Sequence, residues 1–176
     1  PNHLDRHGTM DAYARAKQTI LRHQVPGDWA ALNADDDAVS RWAGLTAGRV
    51  CRFSIAGDLG GDAAWLDGDR CAVRLDGRLD RVALAEATRL AGRHNIANLL
   101  AALLAARLEG VPLAEAARAT RRVAPLPHRL APVAETGGVR WIDDSKATTP
   151  ASAQVALAAL DAPIVAIVGG YDKHVD

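Results

Sequence analysis

The segment Trp141-Ile142-Asp143-Asp144-Ser145-Lys146-Ala147-Thr148-Thr149-Pro150 is the most informative stretch of the chain. An apolar β run ends in two carboxylates, and small hydroxyl residues and a lysine then lead into a helix. The N-terminal amides of such a helix can receive an anion, and α/β sheets place their ligands at this kind of strand-to-helix turn. The plainer alternative carries equal weight on pattern alone: Asp144 and Ser145 cap a helix and Lys146 is solvated. A second pair, Asn95 and Asn98, stands three residues apart on one helix face. Both amides can point the same way, which suits an adenine edge or a ribose, although Asn95 could equally cap its helix.

These groups need elements to hold them. Thr9 is a good N-cap with Asp11 in the first turn behind it, so a helix is expected over residues 10–23, broken by Pro26-Gly27. Residues 28–33 read as a short buried strand and residues 36–43 as a short helix. Between residues 48 and 81, short β segments at 50–55, 63–66 and 71–75 are separated by Gly and Asp turns, the pattern of an antiparallel meander. Ala and Leu dominate residues 95–109, which predicts a helix stopped at Gly110, with Pro112 opening another that runs to about residue 123. Pro125-Leu126-Pro127 is the best linker in the chain, because prolines fix the backbone and prevent helix continuation. Beyond it a hairpin is expected over 130–143 around Gly137-Gly138, then a helix over 150–160 and an apolar strand over 163–168. That β-α-β order implies a parallel sheet with covering helices.

Composition excludes several classes. An apolar content of 49% with 24% charged residues over 176 residues fits a chain that can bury a core. Lys+Arg and Asp+Glu each number 21, so no net field favours nucleic acid or an anionic membrane. The apolar runs are too short to span a bilayer and the first residues show no secretory pattern, which predicts a cytoplasmic protein. Cys51 and Cys71 lack CxxC spacing and are expected to be reduced and structural. The opening at Pro1 and the abrupt close after Gly169-Gly170 suggest a fragment cut at both ends.

The run Asp143-Asp144-Ser145-Lys146-Ala147-Thr148, with Leu126-Pro127-His128-Arg129 upstream, resembles the Mur ligase family, in the branch that adds D-glutamate. Asn2-His3-Leu4-Asp5-Arg6-His7-Gly8, followed by Tyr13-Ala14-Arg15-Ala16-Lys17, is similar to the family's central-domain motif. Arg93-His94-Asn95-Ile96-Ala97-Asn98 and Gly169-Gly170-Tyr171-Asp172-Lys173 match as well, in the family's order. The implied fold is α/β: part of the Mur ligase central ATP-binding domain over residues 1–124, then the beginning of a Rossmann-like C-terminal domain over 125–176.

The resemblance also implies chemistry. A full enzyme of this kind phosphorylates the alanyl carboxylate of UDP-N-acetylmuramoyl-L-alanine with ATP, lets the D-glutamate amine attack, and expels phosphate to leave an amide. It would work with Mg2+, as a monomer without nucleic-acid or membrane partners. His3 and Lys17 would serve the metal, Lys17 after carbamylation turns its cation into an oxygen anion. By residue type alone both read more simply, as a surface histidine and a solvated helix lysine. Asn95, Asn98, Arg129, Asp144 and Ser145 would hold the nucleotide, with Arg129 near the phosphates and Asp144 near the ribose hydroxyls. Lys146, Thr148 and Lys173, together with Lys17, would act on the reacting groups, and His94 and His128 would support them. The chain departs from the family at His174 and Ala131, where a glycine and an acid are usual. No GxxxxGK[ST] loop occurs in it, so turnover by this chain alone is not expected. The alternatives are another Mur or folylpolyglutamate-type ligase and a non-catalytic nucleotide-binding module.

Overall fold

The computed structural model describes residues 7–90 and 92–170. Thr9 accepts a hydrogen bond from the Ala12 amide at 3.1 Å and so starts helix α1 (Met10–Arg22). The cap satisfies one of the donors that a helix start leaves without a partner. In strand β1 (Trp29–Asn33) Ala30 and Leu32 are buried while Ala31 is exposed, the alternation of a strand between two environments. Asp36 then caps a one-turn helix, α2 (Asp37–Ser40), through the amides of Ala38 and Val39 at 2.9 and 3.0 Å, and the chain runs on as a 3-10 turn (Arg41–Leu45).

Strands β2 (Arg49–Ser54), β3 (Ala63–Asp67), β4 (Arg70–Leu75) and β5 (Arg78–Ala83) complete one sheet in the order β1-β2-β3-β4-β5. The β1/β2 and β2/β3 pairs are parallel, and the other two are antiparallel. The expected meander therefore needs correction at its first connection. Because β3 begins opposite Arg52, the connecting loop climbs back only from residue 54 to the level of residue 52. A long crossover is unnecessary, and residues 55–62, with Gly57, Gly60 and Gly61 at positive φ, make the return. Strand β5 was not among the expected segments. Its turn is Asp76-Gly77, with φ of 49° and 76°, the left-handed pair of a tight hairpin that leaves Leu75 opposite Arg78.

One face of this sheet is covered by α3 (Leu84–Ala87), α4 (Arg93–Leu108) and α5 (Leu113–Thr120). In α4, Leu100, Leu103 and Leu104 lose all solvent exposure, and with Leu99 they form one stripe. They pack with Cys51, Cys71, Val73, Leu113 and Ala117 in a single core. On the other face Leu21, Ala30 and Leu32 meet Val39 and Trp42, and Trp65 lies with Ala63 and Ala72. Both cysteines are free and buried, and burial pushes each thiol up to about 11, which keeps it protonated. Arg49 stacks 4.2 Å from the Trp29 ring centroid and bridges Asp62 at 2.6 Å and Asp76 at 3.0 Å. Arg74 lies over Trp65 and pairs with Asp58. These solvated pairs pin the 55–62 loop and the β4–β5 turn to the sheet rather than adding much stability.

After the prolines, β6 (Ala131–Thr136) and β7 (Val139–Asp143) form the expected hairpin around Gly137 and Gly138, followed by α6 (Pro150–Ala158). The expected strand over 163–168 does not form. Val165, Ile167 and Val168 are 93%, 88% and 84% exposed, and β6 and β7 bond only to each other. A parallel strand exists only through its neighbours' hydrogen bonds, and no described strand offers them. Among the described residues, no helix is long and apolar enough to cross a membrane.

Truncating Leu103 to Ala should cost about 2–5 kcal/mol in urea unfolding, since it leaves a cavity under the sheet. Gly48→Ala should also destabilise, by roughly 1–3 kcal/mol, through forced displacement of packed backbone. A Cβ there would sit 2.6 Å from the Asp28 carbonyl oxygen, where β1 and β2 begin.

Candidate functional site

Helix α4 starts at Gly92, whose φ is 96°. The positive φ favours glycine there, and a Cβ at that position would meet the His94 ring at 2.8 Å and reach the Ala159 Cβ of the α6 end at 3.4 Å, so the start of α4 lies close to the end of α6. This approach joins the portions of chain on either side of the proline linker. Between them lies a cavity of about 290 Å³, with His94 from α4, Arg129, Asp144 from the end of β7, and Ser152 and Val155 from α6 among its walls. A guanidinium, a carboxylate, an imidazole and a hydroxyl thus converge beside an apolar helix face, the makeup of a small-molecule site.

Two loops are laced together at its edge. Asp144 Oδ1 accepts from the Leu130 amide at 2.9 Å, and the Lys146 amide donates to the His128 carbonyl at 3.0 Å. His128 Nδ1 lies 2.7 Å from Asp143 Oδ2, while the Ser145 amide donates to Asp143 Oδ1 at 2.8 Å. This lacing holds His128 and Leu130 at φ of 64° and 45°, a region costly for residues with side chains. The His128 hydrogen bond, joined by the Ser145 amide and hydroxyl, lowers the Asp143 carboxyl to about 2. Asp143 is therefore the structural acid of the pair. Asp144 lines the cavity, and its Oδ1 is the oxygen that bonds the Leu130 amide.

Helix α6 is capped by neither Asp144 nor Ser145. Thr149 Oγ1 accepts from the Ser152 amide at 3.2 Å and the Thr149 amide donates to Ser152 Oγ at 3.2 Å, a reciprocal capping box behind Pro150. That box consumes an amide which an incoming anion would otherwise meet. Likewise Gly92, not Asn95, is the N-cap of α4.

Of the sequence-derived candidates, Arg129 and Asp144 share the cavity. Ser145, Lys146 and Thr148 are exposed on the adjoining loop and do not line it. Asn95, half-buried, and Asn98, exposed, stand on the first turns of α4 beyond His94. Lys17 is exposed on α1, its Nζ 5.6 Å from the Tyr13 ring centroid, and is not part of the cavity wall. His3 and Lys173 lie outside the described residues. Among the described residues no group of three or more His, Cys, Asp or Glu side chains gathers as a metal cage. Sequence reasoning had given His94 only a supporting part and had missed Ser152. The one available signal for Ser152 was its place three residues after the capping threonine.

Comparison with known proteins agrees with this architecture. Residues 1–106 match the family model described as the Mur ligase middle domain. The chain is 46% identical over 176 residues to a protein of Symbiobacterium thermophilum named UDP-N-acetylmuramoylalanine--D-glutamate ligase, covering 99% of this chain and 39% of that protein. A protein of the same name from Pelotomaculum thermopropionicum is 42% identical, covering 100% of this chain and 38% of its own length. The chain thus spans about two fifths of the curated relatives it matches. Among solved structures, MurF from Acinetobacter baumannii superposes with a TM-score of 0.66 at 24% identity, covering 87% of this chain and 33% of that one, a likeness of fold. With the sheet, the helix laid across it and the matched middle domain all in agreement, the chain belongs to the Mur ligase family.

Proposed function

We propose that this chain supplies the nucleotide-facing end of a central domain (residues 1–124) and the start of a C-terminal domain (residues 125–176) to a cytoplasmic, ADP-forming ligase. That ligase joins D-glutamate to UDP-N-acetylmuramoyl-L-alanine during peptidoglycan precursor synthesis. The observation that carries the reading is the cavity at the linker, where Arg129 and Asp144 face His94 across the junction. Identity of 46% to a relative named for that reaction supports the choice of substrates.

When bound, ATP supplies the phosphoryl group that activates a carboxylate, and Mg2+ offsets the charge of its phosphates. The residues present fit a nucleotide. Arg129 offers a planar fork for phosphate oxygens, and the second Asp144 oxygen can accept from a ribose hydroxyl. Asn95 and Asn98 stand at the same end of α4, where amides suit a base edge. Lys146 and Thr148, exposed on the loop beside the cavity, can meet the carboxylates of the two substrates as the linker closes. Mg2+ keeps several waters and leans on phosphate, so the lack of an acidic cage among the described residues does not oppose it. A carbamate on Lys17, with His3, would complete its protein ligands.

A chimera in which residues 1–176 replace the matching stretch of the Symbiobacterium relative tests this reading. ADP release should depend on D-glutamate and fail with L-alanine or diaminopimelate; a folded chimera that prefers either of those would sink it. In the active chimera, Arg129→Ala should raise the KM for ATP by roughly tenfold or more, the worth of a charge-assisted hydrogen bond. The lacing carries its own pH dependence. A depressed carboxyl stabilises the folded loop fully above its ordinary value near 4, and that contribution is lost as pH falls toward about 2. The Ser145 amide resonance should therefore titrate in that window by NMR, and Asp143→Asn should abolish the titration.

A further inference from the structure

A second cavity, of about 480 Å³, is lined by Arg89, Arg118, Arg121 and Arg122 together with Val123, Ala124 and Pro125. Among the described residues, no acidic residue lines it. Five arginines of the chain, Arg49, Arg74, Arg78, Arg81 and Arg107, each pair with an aspartate. Among the described residues, none of the four guanidinium groups here makes a hydrogen bond or ion pair, although the backbone amides of Arg121 and Arg122 bond within their helix end.

Their gathering is built by the fold. Arg118 lies in the last turn of α5 and Arg121 is its C-cap. Thr120 Oγ1 donates to the Ala87 carbonyl at 2.8 Å, which clamps the end of α3 to the end of α5 and sets Arg89 beside the other three. The negative end of the α5 dipole accounts for Arg118 and Arg121 but leaves Arg89 and Arg122 without compensation. Four arginines line one hollow without a side-chain partner, and guanidinium forks match phosphate oxygens.

We propose that this hollow binds a small oligophosphate, at a site separate from the Arg129 cavity, with which it shares no wall residue. A compact ligand suits the setting better than a nucleic acid, because the chain's formal net charge is zero and offers no long-range field to a polyanion. Its place at Pro125, where the linker starts, means that an occupant touches both the helical layer and the first linker residue.

Calorimetric titration of the 176-residue chain with inorganic tripolyphosphate tests the site. Saturable binding is expected, stronger than for inorganic phosphate. The double variant R118Q/R122Q should weaken it by about tenfold or more. The charge-matched double variant R15Q/R22Q on α1 should bind as the unaltered chain does, and circular dichroism should show both variants folded. R129Q, altered in the first cavity, should retain the same site. No saturable binding, equal loss in the two double variants, or loss confined to R129Q would overturn the proposal. So would tighter binding of an acidic peptide or a short RNA than of tripolyphosphate.

Discussion

The burial of one leucine stripe fixes the rest of the molecule. Leu100, Leu103 and Leu104 are sealed against the sheet, and that contact sets both the azimuth and the position of α4 along its axis. A helix so seated cannot slide, and its N-terminus must emerge where Gly92 and His94 meet the end of α6. The cavity walls follow from a hydrophobic contact two turns away. The cavity at the linker is thus positioned by side chains that do not line it.

The linker side is organised differently. Little apolar burial supports residues 128–146, and backbone amides held by the Asp143 and Asp144 carboxylates take the place of a core. The two adjacent acids divide the labour. Asp143 holds its own loop through His128 and Ser145, while Asp144 ties the strand entry through Oδ1 and lines the cavity. Charge-assisted hydrogen bonds are directional, so a few of them can hold residues at positive φ where packing does not.

Local signals in the sequence were sufficient for several local elements. Thr9 announced α1, Gly137-Gly138 announced the hairpin, and the Ala/Leu run announced α4, because caps, turns and helical stripes act over a few residues. The parallel pairing of β2 with β3 escaped, since it depends on a stagger visible only once two strands lie side by side. Strand β5 was legible in principle from Asp76-Gly77, but its alternating charges masked it. At the site, the motif around Asp144 located one wall and Arg129 another. His94 and Ser152 reach the cavity only through the tertiary approach of α4 to α6, which no spacing along the chain encodes.

The apolar run at residues 163–168 has a consequence of its own. It is uncharged and rich in β-branched residues, Pro163 is its only proline, and its backbone is left without strand partners in this structure. Such a ribbon is a template for stacking with identical copies of itself. Asp161 before it and Asp172 and Lys173 beyond Gly169-Gly170 are the charges that flank it.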